Sequence, residues 1–84
     1  MPTVQDLLAT FIQFANLPDS QRETFLRQHP EIQNASVVGS VMMSAKLRDE
    51  PEFKRRVGSA ALYVATKLND TGLQAEARKL LAGA

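Results

Sequence analysis

The chain has 84 residues, of which 44% are hydrophobic and 23% charged, a composition typical of one globular domain and unlike that of a disordered segment. Ten basic side chains against nine acidic ones leave a net charge of +1, which is too small to predict nucleic-acid binding. The lack of cysteine excludes disulfides and thiolate metal sites and gives no sign of an oxidising compartment. We therefore expect a single cytoplasmic domain over residues 1–84.

The sequence carries no pattern for export or membrane insertion. Residues 1–6 lack the basic segment followed by an apolar segment that is typical of a secretory signal. The longest stretch without a charged side chain, residues 32–45, is shorter than the roughly 20 apolar residues that a membrane-spanning helix needs. We therefore expect no membrane partner.

The first two predicted helices are short. Apolar residues recur at helical spacing after a capping residue at Thr3, which predicts a helix over residues 4–15. Ser20 and Glu23 have the spacing of a capping box, in which the two side chains bond each other's backbone N–H groups. This pattern predicts a second helix that starts at Ser20 and ends near Gln28.

Three longer helical patterns follow. Pro30 and Pro51 suit the first turn of a helix, so the third helix is predicted over about residues 30–48 and the fourth over about residues 51–69. Gly72 is expected to break the chain before a fifth helix that starts at Leu73. Because β-branched residues nowhere alternate with polar ones, the sequence predicts no β-strand. The predicted fold class is all-α, a compact bundle of about five helices.

The third and fourth helices distribute their apolar residues differently. At about 100° per residue, the fourth helix has one apolar seam, formed by Phe53, Val57, Ala60, Val64 and Leu68. The third helix spreads apolar side chains over most of its circumference, and a helix that is apolar nearly all round is normally buried. We therefore expect the helix over residues 30–48 at the centre of the bundle.

An ungapped internal similarity links two of the predicted corners between helices. Residues 26–32 align with residues 47–53, with Leu, Arg, Pro and Glu at matching positions. In each corner, Leu anchors the end of one helix, and Pro with Glu begins the next. Convergence on common capping chemistry and duplication of a segment both explain the similarity.

No residue pattern predicts catalysis or metal binding. His29 is the only histidine and stands just before a proline, where a capping role is simpler than that of a general base. Asp49, Glu50 and Glu52 do not have the spacing of a calcium-binding loop. No nucleophile stands at a recognisable spacing from a base, so we expect no enzyme, no catalytic residue, no metal and no cofactor.

Basic side chains are concentrated in one place, the basic corner, which consists of Lys46, Arg48, Lys54, Arg55 and Arg56. Three acidic residues between positions 49 and 52 interrupt it, so a solvated surface with internal ion pairs is the simpler interpretation. Binding of nucleic acid or of an acidic partner is the alternative.

Small or apolar residues recur near the C-terminus at the spacing of a helical hairpin, at Ala61, Val64, Ala65, Leu68, Gly72, Ala77, Leu81 and Ala84. In this pattern residues 61–84 resemble a tetratricopeptide repeat, a hairpin used for protein–protein contacts. Ala61 and Leu68 stand where that family usually has aromatic residues. The resemblance implies a binding or scaffolding role without chemistry.

The leading interpretation is a non-enzymatic protein–protein interaction or scaffolding module, an adaptor whose partner is another protein or a second copy of the chain. The candidate contact residues are Met42, Leu62 and Leu81. Methionine repacks easily at binding surfaces but also fills cores, and Leu62 lies opposite the seam of the fourth helix. We expect a homodimer or a monomer with an apolar patch. The alternative is a nucleic-acid-binding or regulatory domain that uses the basic corner.

Overall fold

The computed structural model describes residues 3–83, which fold into five α-helices and one short 3-10 turn, with no strand in that part of the chain. The helices are α1 (Val4–Ala15), α2 (Asp19–Gln28), α3 (Ala35–Arg48), α4 (Pro51–Lys67) and α5 (Thr71–Ala82). The predicted all-α class is therefore confirmed. No helix within residues 3–83 is long and apolar enough to cross a membrane.

The first helix has the predicted bounds because its cap is complete. The Thr3 hydroxyl accepts a hydrogen bond from the backbone N–H of Asp6 at 3.2 Å. In return, the Asp6 carboxylate accepts one from the backbone N–H of Thr3 at 3.1 Å. This reciprocal arrangement is a capping box, and it fixes the start of α1 at Val4.

The second helix begins differently from the prediction. Pro18 precedes the first residue, Asp19, and no side chain caps this end of α2. The predicted capping box of Ser20 and Glu23 is therefore wrong, because the Glu23 carboxylate bonds to α4 and not to the backbone of its own helix. The helix ends at Gln28, as expected.

The third helix is shorter than predicted. Residues 30–32 form a separate 3-10 turn, and α3 starts at Ala35. The side chain of Asn34 accepts a hydrogen bond from the backbone N–H of Ser36 at 2.8 Å, which makes Asn34 the N-cap. The prediction of one continuous helix from residue 30 is therefore wrong. Asparagine is a common N-cap, but apolar residues on both sides of Asn34 continue the helical pattern across it.

The turn before α5 is formed by polar residues and not by the expected glycine. Asn69 has a φ of 55°, in the left-handed region that asparagine tolerates better than most residues. The Asp70 carboxylate then caps α5 by accepting a hydrogen bond from the backbone N–H of Leu73 at 3.1 Å. Gly72 lies inside the first turn of α5, so the predicted break at Gly72 is wrong.

The core lies between α1, α3, α4 and α5, and α2 and the 3-10 turn each add one buried apolar side chain, Leu26 and Ile32. Its largest fully buried side chains are Phe11, Phe14, Leu26, Ile32, Val38, Val41, Val57 and Val64. The middle of the predicted seam of α4 is buried, and its two ends, Phe53 and Leu68, are half-buried. Because α4 packs against α1, α3 and α5, it contributes more buried residues than any other helix.

The third helix contacts α1, α4 and α5 but is not enclosed by them. Val38, Val41 and Ala45 face the core, whereas Met43 is 56% exposed and Leu47 is 79% exposed. The expectation of a helix buried on all sides is therefore wrong. No element within residues 3–83 packs over the outer face of α3, so its apolar residues there meet solvent.

The two corners that match in sequence differ in structure. Leu26 is buried at the first corner, but its counterpart Leu47 is exposed at the second. His29 has a φ of −130° after α2, whereas Asp49 has a φ of 52° after α3. The shared residues therefore specify where a helix ends but not the direction that the chain takes after it.

The last two helices form an antiparallel hairpin, and they approach closely at Gly58. A Cβ atom at this position would lie 2.9 Å from Cγ of Leu81 and 3.5 Å from the backbone oxygen of Ala77. Gly58 therefore lets Leu81 pack directly on the backbone of α4. Ala61 and Ala65 extend this face of small buried side chains.

We expect Val64→Asp to unfold the domain. Val64 is fully buried in the seam of α4, and an unpaired carboxylate there costs about 3 kcal/mol or more of the free energy of unfolding. Thermal unfolding followed by circular dichroism measures this loss. Thr66→Asp, on the exposed side of the same helix, is the matched control. A cooperative melt of Val64→Asp within a few degrees of the wild type would contradict the position of Val64 in the core.

Candidate functional site

The most polar part of the interior lies between α2 and α4, around Arg22. Arg22 is 7% exposed and is the one charged side chain buried within residues 3–83. Its guanidinium carbon lies 5.6 Å from the ring centres of both Phe14 and Tyr63. These distances permit cation–π attraction, which partly replaces the water that the guanidinium loses on burial.

The guanidinium group makes only long polar contacts. Its Nη1 and Nη2 donate to Oγ of Ser59 at 3.4 Å, and Nη1 lies 3.5 Å from Oδ1 of Asp19. Charge-assisted hydrogen bonds are normally about 2.7–2.9 Å long. The Nε atom is buried without a hydrogen-bond partner among the described residues. Arg22 therefore keeps donor capacity that the protein itself does not use, which is unusual for a buried polar group.

A second set of polar contacts, the α2–α4 clamp, consists of Glu23, Tyr63 and Lys67. The Tyr63 hydroxyl donates to Oε1 of Glu23 at 2.5 Å, and the Lys67 ammonium group pairs with the same carboxylate. Lys67 and then Tyr63 hold the pKa of Glu23 below its ordinary value of 4.5, and the bond to Glu23 raises the pKa of Tyr63 above 10.0. The clamp thus joins α2 to α4 while the Glu23 carboxyl group is ionised.

An open cavity of about 370 Å³ lies beside Arg22, with walls formed by Arg22, Ser59, Leu62, Tyr63, Thr66 and Lys67. The volume falls within the range of about 300–1,000 Å³ that is common for small-ligand sites. Leu62, one of the predicted contact residues, is half-buried and forms part of this wall. The sequence did not indicate this site, because Arg22 has no local feature that distinguishes it from an exposed arginine.

The other two predicted contact residues lie elsewhere. Met42 is buried in the core, so it is not available to a partner in this structure. Leu81 is half-buried against Gly58, where it joins α5 to α4. The three predicted contact residues therefore do not form a common exposed surface.

The side chains of the basic corner are mostly engaged within the chain. Lys46 pairs with Glu76, Lys54 with Asp49, Arg56 with Glu52 and Arg48 with Glu50. Arg55 has no ion-pair partner among the described residues. The pairs lie at the surface, where solvent weakens them. Four of the five cations would nevertheless have to exchange a carboxylate for a phosphate to bind nucleic acid.

An apolar surface that the sequence reasoning missed, the α1–α3 face, consists of Val4, Ser36, Ser40, Met43 and Leu47. The four α3 residues of this face follow one another at helical spacing, so they lie along one line of the helix. Ser36 and Ser40 also line a groove of about 220 Å³ together with Val4 of α1. Met43 and Leu47 continue the same line beyond the groove. Because apolar residues lie on nearly all sides of α3, the sequence pattern did not indicate that this line faces solvent.

His29 lies in a capping environment. Its ring is 4.4 Å from the Phe25 ring, and Nδ1 lies 3.2 Å from Oε1 of Glu31. These contacts fasten the end of α2 to the 3-10 turn.

No protein family, curated protein or solved structure was found to match this chain. The likeness of residues 61–84 to a tetratricopeptide repeat therefore rests on the sequence pattern. The hairpin of α4 and α5 contains residues 61–82 of this segment but begins at Pro51. Ala84, the last residue of the pattern, lies outside the described residues.

We expect the free energy of unfolding of Glu23→Gln to change less than that of the wild type as the pH falls into the acid range. Because the clamp lowers the pKa of Glu23 in the folded state, its carboxylate stabilises the fold above pH 4.5, and this stabilisation is lost as the pH falls through the lowered pKa. The wild type should therefore exceed the variant in free energy of unfolding near pH 7. The difference should narrow between about pH 5 and pH 3.

Urea unfolding at several pH values measures this difference. Glu50→Gln is the matched control, because Glu50 is exposed and its pairing distance is 3.8 Å. A difference between wild type and Glu23→Gln that stays constant with pH would contradict the ionised clamp.

Proposed function

We propose that this chain is a non-enzymatic interaction module that binds a protein partner through the α1–α3 face. The supporting observation is the exposure of Met43 and Leu47, one helical turn apart on α3, together with Val4 of α1. Single exposed apolar residues are ordinary on protein surfaces, but neighbouring ones beside an apolar groove are typical of binding surfaces. Methionine also adapts its shape to a partner at low cost.

Charges near this face indicate what a partner presents. Lys46 and Arg48 flank Leu47 in sequence on the last turn of α3. Because Lys46 pairs with Glu76 and Arg48 with Glu50, this end of the face carries both signs of charge. A partner with an apolar centre and a rim of mixed charge would complement it, since opposite charges at the rim speed association and select partners. Such a surface suits either another protein or a second copy of the chain, and we take the homodimer as the first case to test.

The hairpin of α4 and α5 adds support for a scaffolding or adaptor role, through the likeness of residues 61–84 to a tetratricopeptide repeat. We also propose a cytoplasmic location, because a chain without cysteine needs no disulfide and can fold in a reducing compartment.

We expect the wild type to self-associate at micromolar concentration and the double variant Met43→Glu/Leu47→Glu to be monomeric. Both residues are exposed, so the change places charges on the α1–α3 face without disturbing the core. Sedimentation equilibrium and binding of a hydrophobic dye measure the effect. Gln13→Glu/Gln28→Glu, which alters exposed residues elsewhere, controls for the added negative charge.

A monomer that binds the dye, and loses that binding only in the first double variant, would point to a different protein as the partner. A strictly monomeric wild type that binds no dye would contradict the proposal, because the α1–α3 face would then attract no apolar surface.

The alternative, a nucleic-acid-binding or regulatory domain, depends on the basic corner. We expect no salt-sensitive binding of mixed-sequence DNA or RNA, because most of these cations already have carboxylate partners. Fluorescence anisotropy at low and high salt tests this expectation, with Lys54→Ser/Arg55→Ser/Arg56→Ser as the comparison. Salt-sensitive affinity that the triple variant abolishes would support the alternative, since such affinity scales with the phosphate charges neutralised.

A further inference from the structure

The cavity between α2 and α4 has a largely apolar wall that contains two cations, one of which has donors that the described residues leave unsaturated. We infer that it is a binding site for a small organic monocarboxylate with an apolar body. The residues involved differ from those of the α1–α3 face, so this inference does not rest on the proposed function.

The cation is Arg22, and its donors are not saturated. Every polar contact of its guanidinium is 3.4 Å or longer, and Nε has no partner among the described residues. The paired carboxylate, Asp19, is 92% exposed and lies on the solvent side, where water screens its charge. A carboxylate in the cavity would offer the guanidinium shorter, charge-assisted bonds in a drier place.

The apolar part of the ligand follows from the rest of the wall. Leu62 and the ring of Tyr63 face the cavity, and the Ser59 and Thr66 hydroxyls add two small polar groups. The Thr66 hydroxyl is already used, because it donates to the backbone oxygen of Leu62 at 2.7 Å. An aromatic or branched aliphatic body would therefore cover Leu62 and Tyr63 while its charged end meets Arg22.

The charge balance selects a monoanion. Lys67, the other cation in the wall, is neutralised by Glu23, which also binds Tyr63. The partner of Arg22, Asp19, lies 3.5 Å away and is 92% exposed, so water screens it and Arg22 can still attract one further carboxylate. The nearby carboxylates of Asp19 and Glu23 would oppose a dianion such as a phosphate monoester. The volume of about 370 Å³ is small, which favours a free small molecule over the side chains of a folded partner.

The probe for this test is benzoate, with benzamide as its uncharged counterpart of similar shape. We expect benzoate at millimolar concentration to cause saturable shifts in the ¹H–¹⁵N spectrum at the Nε–H of Arg22 and at the amides of Ser59 and Leu62. Benzamide should bind at least about tenfold more weakly, because it lacks the charge that meets the guanidinium.

Arg22→Gln should abolish benzoate binding, whereas Arg55→Gln should leave it unchanged. The two variants lose the same charge, but Arg55 is exposed on α4 and does not line the cavity. If Arg22→Gln fails to fold, Leu62→Trp provides a second test, since it fills the cavity and keeps the guanidinium. That variant should also lose benzoate binding.

The absence of saturable shifts in the wild type would overturn the inference. Equal affinity for benzamide would overturn the role of the Arg22 charge, and equal loss of binding in Arg55→Gln would reduce the effect to the net charge of the protein. Binding that survives both Arg22→Gln and Leu62→Trp would place the carboxylate outside this cavity.

Discussion

The close packing of α4 against its neighbours is the constraint on which the rest of the structure depends. Gly58, Ala61 and Ala65 present almost no side-chain volume toward α5, so the two helices meet nearly backbone to backbone. The adjacent seam, with Val57 and Val64, lies in the core that α4 shares with α1 and α3. One helix, α4, therefore contacts α5 on one face and α1 and α3 on another.

The second helix is attached by different forces from the others. It is the most polar helix of the bundle and buries only Arg22 and Leu26 among its ten residues. Its contacts with α4 are therefore ionic and aromatic, through Arg22 against the Tyr63 ring and Glu23 against Lys67 and Tyr63. An imperfect fit between a polar helix and an apolar bundle leaves the cavity that Leu62 lines.

Sequence patterns predicted only some of the features that depend on local chemistry, since the Asn34 cap was missed and the capping box of Ser20 with Glu23 is wrong. The Thr3 cap defined α1, and the seam around Val64 identified the buried side of α4. Features that depend on tertiary packing were missed. Periodicity does not tell which apolar face of α3 is covered, so Met43 and Leu47 were placed inside. The site at Arg22 could not be anticipated either, since its burial arises from residues almost forty positions away.

That separation along the chain has a kinetic consequence. The bonds from Arg22 to Ser59 and from Tyr63 to Glu23 close loops of 37 and 40 residues, whereas the packing of α5 on α4 joins neighbours in sequence. Contacts between distant segments form late and carry a larger loop entropy than local ones. Since α2 also buries only two of its ten residues, we expect its amides to exchange with solvent sooner than those of α4. An opening of α2 alone would expose the buried guanidinium of Arg22 to water.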